Sequence, residues 1–214
     1  MSARAKSGVK MKGDVRRDQV VRSALTIISK RGVGGLTTAT LAAEAGTSEA
    51  NLYRHFKNKE DIFFATVSYV KERIAKNIEE SLAGGKTPVK KLRRFYNLQI
   101  DLMERNSGIP RFMFSDELHI AKKLRGVLLQ TMYAFSATLA SFIRDAQKSG
   151  SIRNDLDPKT TALMFIGMVQ GLMFRWSLSG FSFSLTVEGR KLWRNFEKCV
   201  AVKTKIPRQG RTKP

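Results

Sequence analysis

The chain has 214 residues, of which 42% are hydrophobic, enough to bury a core in one or two compact units. Its formal net charge is +21, which points to a polyanionic partner, nucleic acid first and an anionic membrane surface second. The single cysteine excludes an internal disulfide, and two histidines leave little for general-base or metal chemistry.

Residues 1–17 carry Arg4, Lys6, Lys10, Lys12, Arg16 and Arg17 against one acid, Asp14. The segment reads either as a solvated, disordered arm or as one that tracks phosphates or enters a minor groove. No apolar stretch follows its charges, so it is not read as a signal peptide. The first helix is predicted over Asp18 to Lys30, with Val20, Val21, Ala24, Leu25 and Ile28 on one stripe. Three glycines between Arg31 and Leu36 end it and permit a sharp turn.

Two short helices follow. Thr37 or Thr38 is placed to cap the first, and Leu41, Ala42 and Ala45 share a face. Gly46 supplies a left-handed stop, and Ser48 can cap the second helix, which carries Leu52 and Phe56. Small residues at Ala42, Ala45 and Ala50 allow a close crossing. This is a helix-turn-helix, whose second helix enters the DNA major groove. The run Leu52-Tyr53-Arg54-His55-Phe56-Lys57-Asn58-Lys59-Glu60 makes the pattern more specific. From Gln19 to Val70 the chain closely resembles the DNA-binding domain of TetR-type transcriptional regulators (the TetR/AcrR family).

The second helix turns Thr47, Ser48, Glu49, Asn51 and Arg54 toward the groove. Asn51 suits adenine edges, Arg54 suits guanine edges or phosphate, and Glu49 suits cytosine or the helix dipole. The resemblance implies phosphate contacts for Thr37, Thr38, Tyr53, His55 and Lys59. It also marks two departures, acidic Glu49 and polar Thr40.

Asn58 is placed to cap a helix from Lys59 to Leu82, which the resemblance makes the connector to a regulatory domain. Thr87-Pro88 opens a helix to Arg105, followed by a short segment near Ile109 to Phe114. A helix beginning near Asp116 continues through Lys122 to Lys148. Asp157-Pro158 opens another to Leu178, and a last helix covers Thr186 to Val200. Cys199 is read there as a small buried hydrophobe. The longest apolar run, Leu163 to Phe174, is too short to span a bilayer. Basic residues 203–214 read as a flexible tail.

The fold class is therefore all-α. The expected division is arm 1–17, DNA-binding domain 18–64, regulatory and dimerisation domain 65–202 and tail 203–214. The two long late helices are the best dimer candidates, with Gly167 and Gly171 either in a close helix crossing or in ordinary intrachain packing. The resemblance implies an apolar or amphipathic small-molecule effector. The later helices offer Leu98, Leu102, Met103, Phe112, Met113, Phe114, Met132, Phe135, Met164, Phe165, Met168, Met173, Phe174 and Trp176 for a pocket, although ordinary core accounts for most of them. Asp116, Glu117 and His119 read either as polar groups of such a pocket or, more simply, as solvated or capping groups. No effector residue is assigned, and no catalytic group, metal site, cofactor or membrane contact is expected. The expectation is a cytoplasmic, homodimeric, sequence-specific repressor that binds double-stranded DNA. The alternative is a nucleoid-associated architectural binder.

Overall fold

The computed structural model describes residues 7–84 and 87–202. Among them lie ten α-helices and no strand; a lone antiparallel bridge joins Ile152 to Ala201. The helices are α1 (Ser7–Arg31), α2 (Thr38–Glu44), α3 (Glu49–Tyr53), α4 (Lys59–Gly84), α5 (Pro88–Arg105), α6 (Gly108–Met113), α7 (Asp116–Ile120), α8 (Lys122–Lys148), α9 (Pro158–Leu178) and α10 (Leu185–Val200). The all-α expectation holds.

Two boundaries and the burial of one residue differ from the sequence reading. Helix α1 starts at Ser7 and not at Asp18, so most of the segment read as a disordered arm is helical. Lengthening an existing helix adds a hydrogen bond per residue, and Val9 to Lys12 and Val15 to Arg17 hold no proline to stop it. Residues 1–6, and the tail 203–214, lie outside the described residues. Helices α7 and α8 do not run together, because Ala121 is extended at φ −69°, ψ 101°. Cys199 is exposed. The buried stripe of α10 runs through Leu185, Gly189, Trp193, Phe196 and Val200, and Cys199 lies one residue off it.

Val21, Ala24 and Ile28 of α1, Leu41 of α2, Leu52 of α3 and Phe56, which lies ahead of α4, are buried in one core. The rest of the chain packs around an aromatic cluster from α5, α9 and α10. Phe95 stacks on Phe165 with centroids 6.0 Å apart, Tyr96 meets Phe165 edge-on at 5.7 Å, and Trp193 sits 5.3 Å from Tyr96. The Tyr96 hydroxyl donates to the Gly189 carbonyl at 3.0 Å, and burial pushes its pKa up to about 12. Glu104 on α5 accepts from Ser184 Oγ at 2.9 Å and from the Thr186 amide at 3.2 Å, which fastens the start of α10.

The two halves meet where α6 lies across α1. A Cβ added to Gly108 would stand 2.0 Å from the Leu25 carbonyl oxygen, so the two backbones touch there. Ser29 Oγ and Ser107 Oγ are 2.5 Å apart, and Arg111 Nη1 donates to the Ser29 carbonyl at 2.7 Å. Phe112 of α6 meets Phe63 of α4 at 5.4 Å. Substituting Gly108→Ala forces these helices apart and is expected to destabilise the protein by about 2 kcal/mol, the usual scale of overpacking. Urea unfolding measures this, and an unchanged midpoint would show that the contact bears no strain.

Candidate nucleic-acid interface and interior cavity

The local sequence builds the helix-turn-helix through its caps. The Thr37 amide donates to Thr40 Oγ1 at 2.9 Å, and the Thr40 amide donates back to Thr37 Oγ1 at 3.1 Å. This reciprocal pair satisfies two amides at the start of α2. The Thr40 hydroxyl also approaches the Gly35 carbonyl at 2.9 Å. Thr40 thus has a structural use that the family comparison of residue types did not suggest. Its spacing from Thr37 was the available signal.

At the other end of α2, Gly46 takes φ +63°. The Gly46 amide donates to the Ala43 carbonyl and the Thr47 amide to the Ala42 carbonyl, at 3.2 and 2.9 Å. That pairing satisfies the last carbonyls of the helix and turns the chain sharply. Ser48 then caps α3 by accepting from the Asn51 amide at 3.2 Å. Asn58 caps α4 by accepting from the Asp61 amide at 2.9 Å, and Asp61 accepts from the Lys57 amide at 2.8 Å.

These caps leave Leu41, Leu52 and Phe56 buried and the polar residues outside. Thr37, Ser48, Glu49, Tyr53, Arg54, His55 and Lys59 are exposed; Thr38, Thr47 and Asn51 are half-buried. Tyr53 is 56% exposed, so interhelix packing does not absorb its ring. Its hydroxyl lies 3.4 Å from that of Thr38, which brings the start of α2 and the end of α3 together. Asn51 Nδ2 donates to Thr47 Oγ1 at 2.7 Å, tying one of its two amide hydrogens to the protein. Arg54 and His55 follow the last turn of α3. The Lys59 ammonium is drawn back onto the protein, 3.3 Å from the Val33 carbonyl and 5.5 Å from the Phe63 ring centre.

A second feature lies in the other half. A cavity of about 420 Å³ opens between α4, α5, α6, α8 and α9. Its walls include Val67, Val70 and Ile74 of α4, Ile109 and Met113 of α6, and Phe135 and Phe165 of α8 and α9. Of the side chains offered by the sequence, Met103, Met113, Phe114, Met132, Phe135, Phe165 and Met173 line it, as does His119. Phe112 and Trp176 are buried and line no part of it. Gln99 also lines the cavity, a position for which the sequence reading makes no assignment. The signal was there: a polar residue within the apolar stripe Leu92, Phe95, Tyr96, Ile100 and Met103.

Known proteins resemble the chain in both halves. The model of bacterial regulatory proteins of the tetR family matches residues 20–66, and that of the tetracyclin repressor-like C-terminal domain matches residues 85–177. Nucleoid occlusion factor SlmA of Aliivibrio fischeri (strain MJ11) is 27% identical over 180 residues, covering 83% of this chain and 92% of that protein. A TetR-family transcriptional regulator from Rhodococcus sp. superposes with a TM-score of 0.73 at 28% identity, over 87% of this chain and 98% of its own. The regulator FadR of Bacillus subtilis in complex with stearoyl-CoA has the same fold, with a TM-score of 0.75 at 18% identity, over 86% and 98% of the two chains.

The reciprocal cap on α2 can be tested directly. Thr37→Val removes the side-chain half and is expected to cost about 1 kcal/mol of stability. Thr38→Val, one residue inside the helix, should cost less. Equal urea midpoints for the two variants would contradict the capping role.

Proposed function

The chain belongs to the TetR family of DNA-binding transcriptional regulators, and on that premise we infer that it is a homodimeric, ligand-responsive repressor of the cytoplasm. It reads a pseudo-palindromic operator. The observation that carries this reading is the capped helix-turn-helix with its polar residues turned outward around a buried apolar seam. Ser48, Glu49, Asn51 and Arg54 face base edges, with Thr47 orienting the Asn51 amide. Thr37, Thr38, Tyr53, His55 and Lys59 hold phosphates, Lys59 after release from the Val33 carbonyl.

Dimerisation is supported by uncovered apolar surface. Helix α9 extends the apolar run Leu163 to Phe174 at both ends. By length and composition alone, α8 and α9 are long and apolar enough to cross a bilayer, yet only 17% and 39% of their most apolar stretches are buried. Tyr133, Leu163 and Leu178 are 72%, 60% and 72% exposed. Such a surface marks an interaction site. A Cβ added at Gly167 or Gly171 would meet nothing within 4 Å, so these glycines do not serve intrachain packing. A second copy seated on α8 and α9 covers this face and presents two recognition helices to successive major grooves.

The cavity is the effector site in this reading. It is walled by α4, which runs directly from the helix-turn-helix, and by α6, which touches α1. A ligand that fits one arrangement of these helices better than another shifts the population between them. The effector is apolar or amphipathic, as its walls require.

The SlmA likeness favours a second reading, a nucleoid-associated binder without a sensor role. Selection of bound sequences from random DNA at roughly 150 mM salt separates the two, because phosphate-only binding fades with salt. A regulator enriches a two-fold symmetric site; an architectural binder enriches none. Within the first reading, Tyr53→Ala and Lys59→Ala are expected to weaken binding to all sequences alike. Asn51→Ala or Arg54→Ala should change the selected bases at a cost of about 1–3 kcal/mol per lost contact. An unchanged selected site would remove Asn51 and Arg54 from base readout. For the dimer, Gly167→Leu combined with Gly171→Leu should yield a helical monomer by sedimentation equilibrium, and a retained dimer would move the interface elsewhere.

A further inference from the structure

The effector cavity contains one polar feature that its apolar character does not explain. Gln99, on the inner face of α5, is 4% exposed, and its Nε2 donates to no group in the protein. Two other polar residues in the walls are committed to their own helix. Thr131 Oγ1 donates to the Val127 carbonyl at 2.9 Å and Thr138 Oγ1 to the Ala134 carbonyl at 3.0 Å. Gln170 is only half-buried. A buried amide left unpaired costs free energy that a leucine of similar size would not incur. Gln99 lines a space of about 420 Å³ with Phe135, Phe165, Met103 and Met173 also on its walls, and rotation about its last side-chain bond can present either end of its carboxamide there.

We propose that the effector is an uncharged, largely apolar molecule with a carbonyl or hydroxyl oxygen that accepts from the Gln99 carboxamide; this rests on the cavity being the effector site. The charge pattern selects the neutral class. The ionisable side chains among the cavity residues are Lys71 and His119, and both are exposed. His119 Nδ1 is already 2.8 Å from the Ser115 carbonyl. A carboxylate carried in to Gln99 would lose its water without meeting a buried cation, which is a large penalty. A ketone or alcohol loses far less and recovers it in one hydrogen bond. A fatty acid that lies with its carboxylate near Lys71 and its chain inward would leave Gln99 unpaired and gains nothing from it.

The test uses the full-length protein with 2-undecanone and undecanoate, titrated by calorimetry below the micelle concentration of the acid. Wild type should bind the ketone more tightly than the acid. Gln99→Leu should weaken the ketone by about tenfold, the loss of one buried hydrogen bond, and leave the acid unchanged or slightly improved. Gln99→Met serves as a second, unbranched replacement, and thermal unfolding of both variants verifies the fold. Tighter binding of undecanoate, or ketone binding indifferent to both substitutions, overturns the neutral-acceptor assignment while the cavity remains the effector site. Binding of neither compound to wild type, with DNA binding intact, overturns the proposal and counts against the cavity as well.

Discussion

The backbone contact between Gly108 and Leu25 is the constraint on which the rest depends. It lets α6 lie flat across α1, which no larger residue would permit. Arg111 and the Ser29–Ser107 pair then satisfy polar groups that this approach would strand. Ile109 and Met113 of the same short helix extend into the wall of the cavity. A single six-residue helix therefore touches both the body that carries the DNA-reading face and the space between the later helices.

Two helices of the cavity wall reach the helix-turn-helix half. Helix α4 is covalent with the helix-turn-helix and contributes Val67, Val70 and Ile74 to the wall. Helix α6 contacts α1 through space. Packed helices shift between discrete arrangements more readily than they deform, because interiors are dense. The aromatic cluster of Phe95, Tyr96, Phe165 and Trp193 stiffens the opposite wall, where the Tyr96 hydroxyl is hydrogen-bonded and α10 is fastened to Glu104. The Glu104 carboxyl is raised by desolvation, but the bonds from Thr186 and Ser184 outweigh this and leave it below its ordinary value of 4.5. That fastening is present above the ordinary carboxylate range and fades as pH falls through the lowered value.

The helix-turn-helix is held together differently. Its helices are short, seven residues in α2 and five in α3, too short to be stable alone. Reciprocal threonines, a left-handed glycine, Ser48 and Asn58 satisfy their free ends. Leu41, Leu52 and Phe56 anchor them to α1. What remains outside is polar, and the Asn51–Thr47 and Tyr53–Thr38 contacts order part of it before any partner arrives.

Much of this was legible along the chain. Helix starts at Thr37, Ser48, Asn58, Thr87 and Asp157 are local events, because a side-chain oxygen three residues from an amide decides them. The outward placement of Ser48, Glu49, Tyr53 and Arg54 followed from the same helical phase. The N-terminal extension of α1 and the break at Ala121 were not legible, since neither carries a strong punctuating residue. Cys199 was misplaced because a small apolar residue next to a buried stripe reads the same on either side of it. Only the tertiary structure decided that Gly108 meets a carbonyl 83 residues away, that Gly167 and Gly171 face outward, and that Gln99 looks into a cavity. Each of those depends on which helix lies opposite, and a residue's own neighbours in sequence hold no record of that.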